Sequence, residues 1–499
     1  MPHMFIEAMS ALESTRSRRN TTRLPALLTR AVWLTFLLSL LAAGRFALTG
    51  DGWTVGRALH VDGLTFVMWV TVAFFSGIVH SYSRRYLAAN RDVELFFLRL
   101  SGFTVAVMAM TAANHVALFV VTWVAMGWLM GDLIGHVRGW EQARRAGRLA
   151  KAYFVSGGVL LALGLAVLAG QTGTATITGV LANLDAVTPT AGAVAAILLL
   201  AAAMIQSALF PAHGWLLSSM TAPTPASAIM HAGFVNAGGV LLARLAPVFA
   251  GHTSLMLAVA VAGGTSALLA QAWMLVQPDI KARLGCSTVA QMGFMILQAG
   301  LGFFAAAVTH LIVHGFYKAY MFLSSGARIE QQSASNPPSP GIEIPAPVRF
   351  VLTVLTAAGG GVLFAAITEK SLIAPETGLF LTVVIVLSVL HATRDLLGRT
   401  ALSPTLRIVG VPLVLLPAMA VYGAVYNAVS GMMSALPMVH APMALTPVHW
   451  ALLALFVAGH AALEFGVHRR SNALYVWLLN QPQPAPSTVL TNKEEYDDH

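Results

Sequence analysis

The chain has 499 residues, of which 57% are hydrophobic and only 10% charged, and its formal net charge is +9. A soluble domain carries about 25% charged residues, so a water-facing surface of this size is excluded and lipid is the surface that remains. The basic excess comes without a basic, aromatic-interleaved surface, which sets nucleic acid aside. The single cysteine, Cys286, excludes a disulfide framework and a cysteine-based metal site.

A basic N-terminus over residues 1–27 precedes an apolar run too long for a cleaved signal peptide. Apolar windows of about 20 residues, the length that crosses a hydrocarbon core, then recur to near the end. They predict about fourteen helices, near 28–48, 63–83, 96–113, 115–135, 149–170, 190–209, 225–247, 254–276, 282–300, 302–325, 348–368, 376–392, 408–427 and 449–467. The expected fold class is therefore an all-α polytopic membrane protein. Its parts are a transmembrane core over 28–327, a Pro/Ser-rich linker over 328–347, C-terminal membrane helices over 348–468 and a polar tail over 469–499. Proline density keeps the linker from being helical throughout, and the tail, ending in Glu494, Glu495, Asp497 and Asp498, is expected to be unstructured.

With fourteen spans the basic residues sort to one side. Arg16, Arg18, Arg19 and Arg23 share it with Arg84, Arg85 and Arg91, with Arg138, Arg144, Arg145 and Arg148, with Lys281 and Arg283, and with Arg394, Arg399 and Arg407. The positive-inside rule makes that side cytoplasmic and places both termini there.

Charged and ionisable residues inside spans are costly and each needs a reason. Asp132 falls late in the fourth predicted span and Lys151 opens the fifth; His231 lies in the seventh; Glu369 and Lys370 end the eleventh; Glu464 lies in the last. His310, His314 and Lys318 are spaced by four in the tenth, which puts them along one helix face. That stripe can serve as a proton wire, since histidine exchanges protons near neutral pH and a buried lysine can be brought to do so. The alternative is three packed residues satisfied by neighbouring helices. The sixth span is broken near 206–215, where Pro211, His213 and Gly214 interrupt it, and such breaks are tolerated where they line a cavity or an ion path. Lys281 and Arg283 lie near a helix end, where snorkelling is the alternative to a function. Enzyme signatures are missing: there is no phosphate-cradling loop, and the residue after His310 is Leu311, which defeats a zinc-helix reading.

Three runs are more specific. Thr221-Ala-Pro-Thr-Pro-Ala-Ser-Ala-Ile-Met-His231 resembles the AGPTPVSALIHA motif of the antiporter-like subunits of respiratory complex I and Mrp antiporters. Asp279-Ile-Lys-Ala-Arg-Leu-Gly-Cys-Ser-Thr-Val-Ala-Gln-Met-Gly-Phe294 resembles that family's DIKRVLAYSTMSQIGY, and His310-Leu-Ile-Val-His-Gly-Phe-Tyr-Lys-Ala-Tyr-Met-Phe-Leu-Ser-Ser-Gly326 its HLMTHAFFKALLFLASG. The resemblance implies two inverted five-helix repeats, each with a broken helix, and a line of lysines and histidines with a glutamate across the membrane centre. By that resemblance Lys318 matches the central lysine of the second half and His231 a histidine of the eighth family helix. Lys370 lies at or beside the lysine of the twelfth, and Lys151 matches a lysine opening the sixth.

Departures from the pattern are as informative. The family's GWEGVG places a glutamate after the tryptophan, but Val124 follows Trp123 here, and Gln206 stands at the lysine of KSAQLPLQTWL. Asp132, about two turns on from Val124 and rotated by about 80°, is the nearby acid able to act as a substitute partner for Lys151. The family's first helix and its long lateral C-terminal helix have no counterpart. This pattern of losses resembles the membrane subunit of DAB-type inorganic carbon transporters. That resemblance implies a cation-conducting subunit, with no cofactor of its own. Its partner would be a large cytoplasmic zinc-binding subunit similar to β-carbonic anhydrase (DabA type), which hydrates CO2 to bicarbonate. A pump subunit of a respiratory, hydrogenase or Mrp-type complex is the alternative, and a non-conducting scaffold a third.

Overall fold

The computed structural model describes residues 23–325, 344–370, 372–398 and 403–489. Most of the basic N-terminus, residues 328–343 of the linker, and the chain beyond 489 lie outside them, as does the Glu464 side chain. Every predicted span is a helix, or a broken one. The helices are α1 Arg23–Thr49, α2 Gly63–Tyr86, α3 Val93–Ala112, α4 Val116–Ile134, α5 Glu141–Thr172, α6 Pro189–Gln206, α7a Thr224–Ala232 with α7b Ala237–Arg244, α8 Thr253–Val276, α9 Ile280–Gly300, α10 Phe304–Leu323, α11 Ala346–Ile367, α12 Thr377–Gly398, α13 Pro404–Met432 and α14 Pro447–Glu464. A β-hairpin, β1 Trp53–Val55 and β2 Leu59–Val61, caps the start of α2.

By length and composition, eleven described helices are apolar enough to cross a membrane, with α7a and α7b counted as one. The expected count of fourteen is reached only with α9, α10 and α14. The first two fall short of that apolarity because of the residues they carry, Lys281 and Arg283 on α9 and His310, His314 and Lys318 on α10.

Burial runs opposite to hydropathy. In the most apolar window of α13 only 11% of residues are buried, and in α1 only 17%, so both turn to lipid; in the less apolar α7 the share is 94%. Close helix contact is allowed by small residues. A Cβ on Gly263 would sit 2.4 Å from the Leu297 nitrogen, and one on Gly293 2.5 Å from that of Ala267, so α8 and α9 meet backbone to backbone.

Short bridges place the helix ends. Leu59 pairs with Ala113, His115 with Thr176, Phe303 with His440 and Glu376 with Ala444. These residues share one face, and Arg84, Arg85, Arg138, Arg144, Arg148, Lys281 and Arg283 fall at the opposite helix ends. The runs α3–α7 and α8–α12 each have a fourth helix that gives way to irregular chain, at 207–213 after α6 and at 368–376 after α11. Five crossings separate α6 from α11, so they run in opposite directions, as inverted repeats require. A second break, unexpected from the sequence, divides α7 at 233–236.

The tail departs from expectation. Residues 472–480, NALYVWLLN, form a helix, α15, capped by Ser471, whose side chain accepts from the Leu474 amide. Seven of its nine residues are apolar or aromatic, and Leu478 is buried. Beyond it the Ala485 amide donates to Ser218 Oγ at 2.9 Å. The polar composition assigned to 469–499 as a whole holds only for its last residues.

On the face opposite the basic helix ends, Arg244 at the end of α7b forms an ion pair with Asp62, the N-cap of α2. Arg244 Nη2 also donates to Thr65 Oγ1 at 3.0 Å and to the Thr111 carbonyl at 2.9 Å. Burial by itself would raise the Asp62 carboxyl, but the Arg244 charge and hydrogen bonds, with those of Thr65, hold it below the usual carboxylate range. A carboxyl shifted downward by folding contributes fully at neutral pH and loses that contribution only as pH falls through its lowered value. Arg244→Met leaves the carboxylate buried and unpaired, and is expected to cost about 3–5 kcal/mol. Thermal melting in detergent should show Asp62→Asn/Arg244→Met recovering much of that loss, with the gap closing in strong acid.

Candidate functional site

The tenth helix starts at the face opposite the basic helix ends, after a turn in which Gly302 has φ +87°, and a Cβ there would meet the Ala441 carbonyl oxygen. From that start His310, His314 and Lys318 descend on the buried side of α10, over about 12 Å at 1.5 Å per residue. Lys318 is fully enclosed, and its Nζ donates to the Leu284 carbonyl of α9 at 2.9 Å. The His310 and His314 rings lie parallel with centroids 5.8 Å apart. Among the described residues, His310 Nε2 and both ring nitrogens of His314 have no protein hydrogen-bond partner. Buried polar nitrogens of this kind are ordinarily satisfied by bound water.

His231 joins this line from α7a. Its Nδ1 is 2.9 Å from Thr288 Oγ1 of α9, and its ring stacks on Phe322, one turn beyond Lys318, at 4.3 Å between centroids. Charge on Lys318 acts on both His231 and His314. Gly315 makes the approach of α7a possible, since a Cβ there would sit 2.6 Å from the Phe75 ring and 2.9 Å from the Ala232 carbonyl oxygen. Four of the residues singled out in the sequence thus form one continuous buried cluster.

A second centre lies in the first half. Lys151 Nζ donates to Asp132 Oδ1 at 2.5 Å and sits 4.4 Å from the centroid of the Trp128 ring. Arg99 of α3 approaches the same carboxylate at 3.9 Å. Small residues bring α4 and α5 together here: a Cβ on Gly131 would lie 2.4 Å from Lys151 Cγ, and one on Gly147 2.7 Å from the Gly131 carbonyl oxygen. Val124, at the position of the family glutamate, is instead packed against α5, with its Cγ2 2.5 Å from where a Gly158 Cβ would be. Gln206, at the position of the family lysine, is buried and donates to the Phe234 carbonyl at 3.4 Å.

The two centres are separated by rings. Phe154, one turn beyond Lys151, meets Phe234 at 4.6 Å and Trp215 at 4.7 Å, and Phe234 follows His231 by three residues.

The remaining candidates sit apart. Lys281 donates to the Met220 carbonyl at 3.3 Å, at the start of α9. His213 lies in the irregular stretch after α6, its ring 4.7 Å from that of Trp273. Lys370 lies just past the end of α11, donating to Tyr426 Oη at 3.1 Å, while its neighbour Glu369 is exposed with φ +55°.

His80, Arg99 and Arg244 also lie inside spans and belong with the ionisable residues singled out above, a set that omitted them. His80 is wholly buried, with Nδ1 3.1 Å from Ser76 Oγ and Nε2 3.0 Å from Ser101 Oγ, and Ser76 Oγ is 2.6 Å from Thr104 Oγ1. The same rule, an ionisable residue inside a span, would have found all three; the pairing of Asp62 with Arg244 across 182 positions carries no local signal.

Replacing Asp132 by Asn removes the charge that Lys151 and Arg99 share while leaving the amide able to accept one hydrogen bond. Ion flux through membrane vesicles should fall by about tenfold or more, with the chain still present in the membrane at wild-type amounts. Unchanged flux would make the pair a packing feature.

Comparison with known proteins supports this fold. Residues 113–337 match the model for the transmembrane region of the NADH:quinone oxidoreductase/Mrp antiporter family, and residues 48–97 that for the N-terminus of chain 5 of NADH-ubiquinone oxidoreductase (complex I). A probable inorganic carbon transporter subunit, DabB1, of Halothiobacillus neapolitanus is 40% identical over 286 residues, covering 56% of this chain and 51% of that protein. The probable DabB subunit of Bacillus subtilis is 34% identical over 305 residues, covering 60% and 59%. An NADH-quinone oxidoreductase subunit L of Mycobacterium tuberculosis is 34% identical over 284 residues, covering 56% and 44%. The chain thus spans between 44% and 59% of the length of these relatives. In fold it is similar to a chain of the Mrp complex from Dietzia sp. DQ12-45-1b, with TM-score 0.53 and 21% identity over 97% of this chain and 54% of that one. It is also similar to a chain of the archaeal membrane-bound sulfane sulfur reductase, with TM-score 0.57 and 17% identity over 94% and 96%. The chain is a membrane protein and belongs to the antiporter-like membrane subunit family of NADH:quinone oxidoreductases and Mrp antiporters.

Proposed function

We propose that this chain is the proton-conducting membrane subunit of an energy-driven inorganic carbon uptake complex of the bacterial inner membrane, with both termini cytoplasmic. The observation that carries the proposal is the enclosed line His310–His314–Lys318 with His231 beside it. Its members are near enough for a proton on one to repel a proton on the next, because opposition between like charges is strong away from water. Protons therefore move through the line by handing on one site at a time. Lys318 is the fixed donor at its cytoplasmic end, and the Leu284 carbonyl orients its ammonium. His231 supplies a branch that reaches the break in α7, so a change of charge there acts on the part of the bundle already free of regular helix.

The choice of inorganic carbon rests on two supports. Relatives described as probable inorganic carbon transporter subunits share 32–40% identity over more than half of this chain. Val124 closes the position where a respiratory subunit keeps its glutamate, and the Asp132–Lys151 pair is the charge centre left in the first half. The Phe154–Phe234–Trp215 block favours conduction along α10 over transfer across to Lys151. The partner in this reading is a large cytoplasmic zinc protein that hydrates CO2 to bicarbonate, and this chain itself holds no cofactor.

The test is co-expression with the neighbouring gene in a bacterium without carbonic anhydrase, scored as growth in air. Rescue is expected, and it should vanish with an uncoupler and with Lys318→Ala. Rescue that survives Lys318→Ala at equal protein level would make the chain a scaffold. No rescue with both proteins in the membrane would move it to a respiratory or antiporter complex.

A further inference from the structure

A cavity of about 390 Å³ opens on the face opposite the basic helix ends, a size typical of small-molecule sites. On one side β2 supplies His60, the start of α2 Asp62, the α3–α4 connection Asn114 and the end of α7b Arg244. The short helix Ile177–Ala182 and the end of α13 close the other side. A Cβ on Gly63 would strike the Met432 carbonyl oxygen, so the ends of α2 and α13 meet backbone to backbone beside the cavity.

The two walls differ in chemistry. Ile177, Leu181, Met432 and Leu436 make one of them apolar. The polar wall has donors to spare and few acceptors. Asn114 Oδ1 accepts from the Thr178 amide at 3.0 Å and from the Thr178 hydroxyl at 3.1 Å. That fixes the side chain and leaves both Nδ2 protons without a protein partner among the described residues. Arg244 turns Nη1 and Nη2 toward Asp62, Thr65 and Thr111, and its Nε–H is left over. His60 Nε2 stands 4.0 Å from Asp62 Oδ2, beyond hydrogen-bond reach. The Asp62 carboxylate is already engaged: it accepts from the Thr65 amide and hydroxyl, each at 3.0 Å, and from Arg244, which also cancels its charge. A hard metal cation needs several free oxygen ligands at once, so the polar wall suits a ligand that brings its own acceptors.

We infer that this cavity binds a small carboxylate with a short alkyl chain, its oxygens on the Asn114 amide and the Arg244 side and its chain along Ile177 and Leu181. Water on that side of the membrane reaches it past Ala182, which is exposed, and His60, which is half-buried. The inference goes beyond the conducting role and does not depend on it.

The experiment titrates the chain, with its co-expressed partner in lipid nanodiscs, with acetate, butanoate and hexanoate by calorimetry. The wild type should bind hexanoate saturably, with Kd falling about fourfold for each CH2 added along the series. Asn114→Asp keeps the acceptor for Thr178 and exchanges the donors for an anionic oxygen. Ala182→Phe sets a ring at the cavity rim and removes no polar group. Each should weaken hexanoate by about tenfold or more, with the ligand-free melting temperature unchanged. No saturable binding, or binding that survives both variants, overturns the site. Should Asn114→Asp melt lower, Ala182→Phe alone decides. Equal affinity for the three acids overturns the alkyl chain. A phospholipid found by mass spectrometry on the wild type and not on Ala182→Phe, with no carboxylate bound, overturns the soluble ligand.

Discussion

Holding Lys318 away from water without exposing it to lipid is the constraint on which the other helices depend. An ammonium at the centre of a bilayer costs a few kcal/mol even by the most lenient scale, and more on an isolated helix. The bundle meets this by surrounding α10 with protein on the side that carries the charge. On that side α9 supplies the Leu284 carbonyl and Thr288, and α7a supplies His231. The opposite side of α10 exposes Val313, Phe316, Tyr317 and Tyr320, so one helix carries an apolar outer side and an enclosed ionisable side at once. The hydropathy of the other helices follows from their distance to this centre. The helices that enclose the charge need polar groups and small residues, and the peripheral α1 needs only apolar surface.

The same constraint explains where the backbone breaks. Irregular chain inside a membrane is tolerated only when it is shielded from lipid; residues 207–209 and 234–236 are buried, while Phe210 and Pro211 reach the surface. Their free backbone groups are used. The Phe234 and Val235 carbonyls accept from Gln206 and from Ser207, the latter at 2.7 Å, and the Ile205 carbonyl accepts from Trp215 Nε1 at 2.9 Å. The breaks of adjacent helices are thus tied to each other, with Phe154, Trp215 and Phe234 filling the space between. This places a dry block between the Asp132–Lys151 pair and the α10 line, and gives each charge centre its own surroundings.

The span pattern was legible because lipid enforces a single rule, that about 20 apolar residues make one crossing, and the helix at every predicted span follows from it. The stripe on α10 was legible because spacing by four within one helix is a local property. The contact of Asp132 with Lys151 was open to inference, since both lie near the connection between consecutive antiparallel helices. The break at 233–236 was hidden, because Gly233 and Asn236 in an otherwise apolar run do not differ in composition from a packing contact. The α15 helix was masked by the charged residues that follow it. Asp62–Arg244 and Lys370–Tyr426 join helices far apart in sequence, and no periodicity reports on such a pair.

The changes in the first half are coordinated rather than a simple loss of charge. Where the family resemblance calls for a glutamate, Val124 meets Gly158, and the space that a carboxylate and its water would occupy is taken up by helix contact. A carboxylate two turns further on reaches Lys151 only because Gly131 and Gly147 let α4 and α5 close at that level. Moving the acid from one level to the other without those glycines would separate it from the lysine, and keeping a bulky residue at 158 would leave Val124 no room. Arg99 then gives Asp132 a second cationic neighbour, so the carboxylate is shared between two positive groups. A pair held in this way favours a standing ion pair over a carboxylate that releases and recaptures its lysine. The first half is thereby suited to hold a fixed charge pair near the basic helix ends, apart from the enclosed line on α10.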